Sequence, residues 1–215
     1  MSVVGIVPAA GSGERLGSVG PKAFVVCGGR PLIEWSLDAL RSVCDRVVVA
    51  APEGYEDPAR DFVRGGAVRS ESVRQALLSA PEATVAMVHD AARPLVTPAL
   101  AQACIEALAG VDGAIAAAPM TDTVKEAARE DLRVVRTLDR RVLWRIQTPQ
   151  VFRADVLRGA LDVSDETLAA ATDDAALVEA AGGVVRVVES PPENIKVTRP
   201  VDLKLAEMLL AERAH

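Results

Sequence analysis

Apolar positions along this chain follow two rhythms. Short, mostly apolar runs occur at 3–7, 46–51, 84–88 and 113–118, with the length and composition of strands buried on both faces, and 184–188 reads as a further strand. Between them, apolar residues recur every three or four positions. Ile33, Leu37 and Leu40 predict a helix over 31–43, with Pro31 in its first turn. Ser70 reads as the N-cap of a helix reaching residue 80, and Thr97 with Pro98 opens one that runs to about 108. Helical patterns follow at 153–162 and 173–181. In a terminal helix, Val201, Leu205 and Met208 share the core-facing side, with Asp202, Lys204 and Glu207 outward. Strands alternating with helices predict an α/β fold with one doubly wound, mostly parallel sheet. No repeat or low-complexity linker divides it, so 1–215 reads as a single domain.

One stretch breaks the rhythm. Residues 120–138 hold two short valine-containing runs around the charged centre 126–131, the pattern of a hairpin with a solvated tip. Such an arm, projecting from the globule with Val124, Val134 and Val135 on it, has too few large apolar residues to form a core of its own.

Composition narrows the partners. Asp and Glu outnumber Lys and Arg by 30 to 24, which disfavours general binding to nucleic acid or an anionic membrane. An anionic ligand would therefore need locally placed cations. Only four lysines occur, at 22, 125, 196 and 204, so their positions carry weight. Cys27, Cys44 and Cys104 are too widely spaced for a zinc pattern or disulfide framework and read as buried free thiols of a reducing cytoplasm. No apolar run is long enough to span a membrane, and no secretory leader is expected.

The chemistry concentrates where strands end. Residues 7–22, VPAAGSGERLGSVGPK, follow the first run and interleave Gly11, Gly13, Gly17 and Gly20 with Arg15 and Lys22. Glycines let backbone N–H groups approach a phosphate, and the cations supply charge. The spacing matches neither a P-loop nor a dinucleotide fingerprint. It reads as a triphosphate cradle, with a bare glycine-rich turn as the alternative. Asp90, in HDAARP after another run, can hold Mg²⁺ or cap a helix. His89 beside it lacks a His or Cys partner and reads as a packed, hydrogen-bonded side chain. The segment GGAVRSESV leads into a helix N-terminus able to hold a base or phosphate. Arg140 and Lys196 are candidate cations for a second anion; Thr148 and the run Thr172, Asp173, Asp174 are weaker signals.

Taken in order, PAAGSGERLGSVGPKAF, RSESV, HDAARP, DRRVLWRIQTPQVF, ATDDA and ENIKVTRPVDL resemble the 2-C-methyl-D-erythritol 4-phosphate cytidylyltransferase family over almost the whole chain. Ala23 and Val201 depart from residues common there. The resemblance implies a Rossmann-like nucleotidyltransferase fold and the joining of CTP to methylerythritol phosphate with release of pyrophosphate. It implies Arg15, Lys22, Arg140 and Lys196 as catalytic cations. Pro8, Ala9, Ala10, Gly11, Ser12, Gly13, Gly66, Arg69, Ser72 and Asp90 would bind nucleotide, with Asp90 also near Mg²⁺. Arg93, Thr123, Thr148 and Thr172 would meet the sugar phosphate. It further implies a homodimer through the hairpin arm and a cytoplasmic location. A fused second enzyme is not expected. Two alternatives stay open: a ribitol 5-phosphate cytidylyltransferase, and a nucleotide-binding protein that has lost catalysis.

Overall fold

The computed structural model describes every residue except 12, 14, 15, 17–19, 214 and 215. The chain begins with β1 (Val3–Pro8), the glycine-rich loop, a short hairpin of β2 (Val26–Cys27) and β3 (Arg30–Pro31), and α1 (Leu32–Arg41). Next come β4 (Arg46–Ala51), β5 (Phe62–Arg64), α2 (Arg69–Leu78), β6 (Val85–Val88), α3 (Pro98–Ala107) and β7 (Gly113–Pro119). The arm holds β8 (Lys125–Ala127) and β9 (Val134–Thr137). Then follow β10 (Trp144–Arg153), α4 (Ala154–Leu161), α5 (Asp165–Ala170), α6 (Asp174–Ala180), β11 (Val185–Glu189) and α7 (Pro200–Arg213).

Seven of the described strands form one sheet in the order β11-β7-β10-β6-β1-β4-β5. Every neighbouring pair is parallel except the two made by β10, which runs antiparallel to β6 and β7. Alternation along β1 shows why both faces must be covered. Val3 and Val7 join one core with Ile33 and Leu37 of α1 and Cys104 of α3. Val4 and Ile6 join another with Val73 and Leu77 of α2 and Leu157 of α4. The helices thus lie on both faces, as doubly wound connections require.

Strand β10 is absent from the sequence reading. Its polar and proline content (Arg145, Gln147, Thr148, Pro149, Gln150) hides its period, since proline within a run argues against a central strand. The ladder with β7 shifts register between Ile146 and Gln150, so Gln147 to Pro149 leave the regular pairing. That irregularity delivers Thr148 to the site.

Two expectations are corrected. Ser70 does not cap α2: the N-cap position is Val68, and the Ser70 hydroxyl donates to the Leu168 carbonyl at 2.5 Å, tying α2 to α5. The face of α7 is also reversed. Val201, Leu205 and Met208 are exposed, whereas Ala206 and Leu210 are buried against Cys27, Leu32, Leu95 and Val197. The arm forms as expected: β8 and β9 pair antiparallel in a two-stranded sheet of their own. Leu132, Val134 and Val135 on it are exposed. The thiols of Cys27 and Cys104 are buried, Cys44 is half-buried, and all three are free.

Candidate functional site

Four loops at the carboxyl ends of parallel strands build the site, where open α/β sheets place their ligands. The loop after β1 is drawn back on itself by Lys22 N–H donating to the Gly11 carbonyl at 3.2 Å, and Gly13 takes the left-handed φ of +77°. The segment after β5 presses close to it. A Cβ on Gly65 would lie 2.9 Å from Ala10 Cβ and 3.1 Å from the Ala51 carbonyl oxygen, so only glycine fits. At the start of α2, Gly66 N–H donates to Ser72 Oγ at 3.0 Å and Ala67 N–H to Glu71 at 2.7 Å. After β6, Asp90 N–H donates to Thr148 Oγ1 at 3.0 Å. The loop after β11 is anchored by Val197 N–H donating to the Ala92 carbonyl at 2.8 Å, which sets Lys196 against Asp90.

These loops enclose two adjoining cavities. The first, about 480 Å³, is lined by Pro8, Ala9, Ala10, Gly11, Gly13, Lys22, Gly66, Arg69, Ser72 and Asp90, along with Leu16, Ala67 and Thr198 among others. The second, about 300 Å³, is lined by Arg93, Thr148, Thr172, Gln147, Gln150 and Asp173 among others. Arg69, Asp90 and Lys196 line both. The described residues that the resemblance assigns to nucleotide therefore face one cavity, and most of those it assigns to acceptor face the other. Thr123 and Arg140 line neither: they lie exposed on the arm and just beyond it, where an Arg140 guanidinium N–H donates to the Thr121 carbonyl. Arg15 and Ser12 lie outside the described residues.

The wall between the cavities is a chain of charges. Asp174, fully enclosed at the start of α6, takes Arg69 Nη1 at 2.7 Å. Arg69 Nε reaches Asp90 Oδ1 at 3.0 Å, and Lys196 Nζ reaches Asp90 Oδ2 at 2.7 Å. Burial opposes the charge on Asp90, but Arg69 and Lys196 outweigh it and hold the carboxyl far below its ordinary range. Burial dominates at Asp174 and raises its carboxyl despite Arg69. Burial also lowers Arg93, with Asp90 opposing. His89 is held neutral, pushed down to about 4, chiefly by burial. It is the packed, hydrogen-bonded side chain expected of it.

Sequence reasoning undervalued the polar residues under the second cavity. Asn194 Nδ2 donates to Gln147 Oε1 and to the Thr148 carbonyl, both at 2.9 Å, while Gln150 donates to Asp173 at 2.9 Å. Arg93 Nη1 donates to the Asn194 carbonyl at 2.8 Å, and its buried Nε has no hydrogen-bond partner among the described residues. The available signal was slight: Gln147 and Gln150 lie between the apolar Ile146 and Val151, and Asn194 follows a proline-rich turn.

Among the described residues no group of three or more His, Cys, Asp or Glu is placed to hold a metal. Asp90 is one ionised carboxylate, already paired with three cations, Arg69, Lys196 and, at 3.9 Å, Arg93. It fits a single contact to a divalent ion that brings phosphate oxygens and water as its other ligands.

The sequence model of the 2-C-methyl-D-erythritol 4-phosphate cytidylyltransferase family matches residues 3–212. The chain is 44% identical over 225 residues to the Nocardia farcinica protein of that name, covering 99% of this chain and 96% of that one. It is also 44% identical to the Deinococcus radiodurans protein of that name, across 95% of this chain and 88% of that one. Among solved structures it is similar to the Thermus thermophilus enzyme, with a TM-score of 0.84 at 38% identity, covering 98% and 100% of the two chains. The Francisella tularensis enzyme gives 0.80 at 30% identity, covering 97% and 99%.

Proposed function

The chain belongs to the 2-C-methyl-D-erythritol 4-phosphate cytidylyltransferase family, and we propose that its paired cavities bring CTP and 2-C-methyl-D-erythritol 4-phosphate together for transfer. The observation that carries this reading is the junction of the two cavities at Arg69, Asp90 and Lys196. A donor in the first and an acceptor in the second meet there. The acceptor's phosphate oxygen attacks the α-phosphorus of CTP. The bond to the β-phosphate oxygen breaks, and pyrophosphate leaves. No protein nucleophile is needed, so the work is positioning and charge stabilisation.

In this reading Lys22, at the rim of the glycine-rich loop, stabilises the growing charge together with Arg15. Lys196 and Arg140 hold the acceptor's phosphate, with Arg93, Thr123, Thr148 and Thr172 around the polyol. Ser72 and the backbone near Gly66 lie where a pyrimidine would be read. Asp90 would hold Mg²⁺ through one oxygen, and the ion would neutralise triphosphate charge when bound. The chain acts as one domain over 1–215, in the cytoplasm, as a homodimer joined through the arm at about 120–138. The family match and the relatives favour this reading over a ribitol phosphate acceptor or a non-catalytic binder.

Pyrophosphate release from CTP, UTP and ATP, each with methylerythritol phosphate and with ribitol 5-phosphate, tests the reading. CTP with methylerythritol phosphate should be strongly preferred. Equal turnover with ATP, or preference for ribitol 5-phosphate, overturns it.

A further inference from the structure

Three hydrogen bonds beneath the second cavity fix the direction of a fourth. The His89 imidazole is fully enclosed. Its Nε2 lies 3.3 Å from the Arg93 carbonyl oxygen and its Nδ1 lies 3.0 Å from Thr148 Oγ1. The Asp90 N–H donates to the same Oγ1 at 3.0 Å. A carbonyl oxygen only accepts, so Nε2 must carry the hydrogen. In a neutral ring Nδ1 is then bare and accepts. The Thr148 hydroxyl gives its only hydrogen to Nδ1 while accepting from Asp90 N–H. One lone pair remains on Oγ1.

We propose that His89 is a positioning residue that commits the Thr148 hydroxyl to act only as an acceptor, so that this wall of the second cavity selects a substrate hydroxyl over a phosphate oxygen. The proposal rests on the reading of that cavity as a polyol phosphate site. Ionised phosphate oxygens can only accept, and Thr148 has no hydrogen left for them. They must turn to the cations that line the cavity, above all to Lys196, which borders both cavities. The two ends of an acceptor are thereby sorted: hydroxyl toward Thr148, phosphate toward the cations. The same circuit ties the loop after β6 to the irregular part of β10. It therefore fixes Asp90 and Thr148 relative to each other.

Nitrogen NMR on the uniformly labelled full chain reads the tautomer directly at neutral pH. The sequence has two histidines, His89 and His215, and a His89→Asn variant assigns the signals. A neutral ring protonated on Nε2 is expected. Protonation on Nδ1 overturns the proposal, because Thr148 would then keep its hydrogen for the ligand. Kinetics read the consequence. Polyol phosphates lacking one hydroxyl at a time are compared in the parent and in Thr148→Val. Loss of one particular hydroxyl should raise the acceptor KM about tenfold in the parent and hardly at all in Thr148→Val, with little change in KM for CTP. Thr148→Ser should keep the discrimination. Equal penalties in the parent and Thr148→Val overturn the proposal while leaving the proposed function standing. No turnover with any polyol phosphate overturns the reading of the cavity and the selection with it, but not the tautomer.

Discussion

At the scale of single residues, His89 gives the fold a pH signature. An imidazole in the unfolded chain has its ordinary value of 6.5, whereas burial lowers it to about 4 in the folded one. As pH falls between those values the unfolded state takes up the proton first. Stability is therefore fully present above about 6.5 and is lost toward 4, by about 3 kcal/mol in all. Asp90, depressed by Arg69 and Lys196, adds its loss only below the ordinary Asp value of 3.8. Asp174, raised by burial, works with the opposite sign above that value. Comparing urea melts of the parent and His89→Asn from pH 7.5 to 4.5 cancels these carboxylates. The variant should be less stable at pH 7.5 yet show a flatter decline on acidification. A decline as steep as the parent's would mean that the imidazole is not what senses pH.

At the scale of elements, the strands and helices with a clean period were legible and those carrying site chemistry were not. Residues 46–51 could be read because Val47 to Ala51 is apolar throughout, and β4 occupies that same range. Strand β10 was invisible because its middle serves the cavity: Gln147, Thr148 and Gln150 are buried polar residues, and Pro149 follows Thr148 where the ladder slips. The glycine-rich loop could be picked out as a candidate phosphate site from residue types alone, and Gly11, Gly13 and Lys22 do line the first cavity. Asn194 and Gln147 could not be read, and Asp174 gave only a weak signal, because their roles depend on distant contacts. Asn194 meets Gln147 across 47 residues of chain, and Arg69 meets Asp174 across 105. Helix α7 shows a subtler limit. Its sequence offers two apolar faces, Val201-Leu205-Met208 and Leu203-Ala206-Leu210, and the period does not say which meets the core. The small Ala206 lets the second face approach Cys27 and Leu32 closely. Accordingly Met208→Lys should change stability by no more than about 0.5 kcal/mol, whereas Leu210→Ala should cost roughly 2–4 kcal/mol. Thermal unfolding of the two variants checks this, and the reverse order would restore the face that the sequence suggested.

At the scale of the whole molecule, the proposed acceptor site is incomplete in a single chain. Arg140 and Thr123, two residues assigned to the acceptor, line neither cavity and sit exposed at the arm. The arm and the strand leading from it also leave Leu132, Val134, Val135, Val142, Trp144 and Ile146 exposed. A two-stranded hairpin with such side chains in water has little to hold it in place, and so many exposed apolar side chains on one stretch of chain call for a partner. A two-fold pairing of identical chains meets both needs at once. In the proposed dimer each arm covers the other's apolar side chains, and each presents its Thr123 and Arg140 to the cavity of the opposite chain. The first cavity, built from the glycine-rich loop, the start of α2 and the loops after β6 and β11, needs no such help. Replacing residues 125–133 with a short Gly-Ser bridge should therefore leave a folded species of half the dimer mass. It should bind CTP about as well as the parent, yet release little pyrophosphate when the acceptor is added. Light scattering, CTP titration and a pyrophosphate assay on that one variant decide the point. A monomer with full turnover would show that the arm neither joins the chains nor completes the acceptor site.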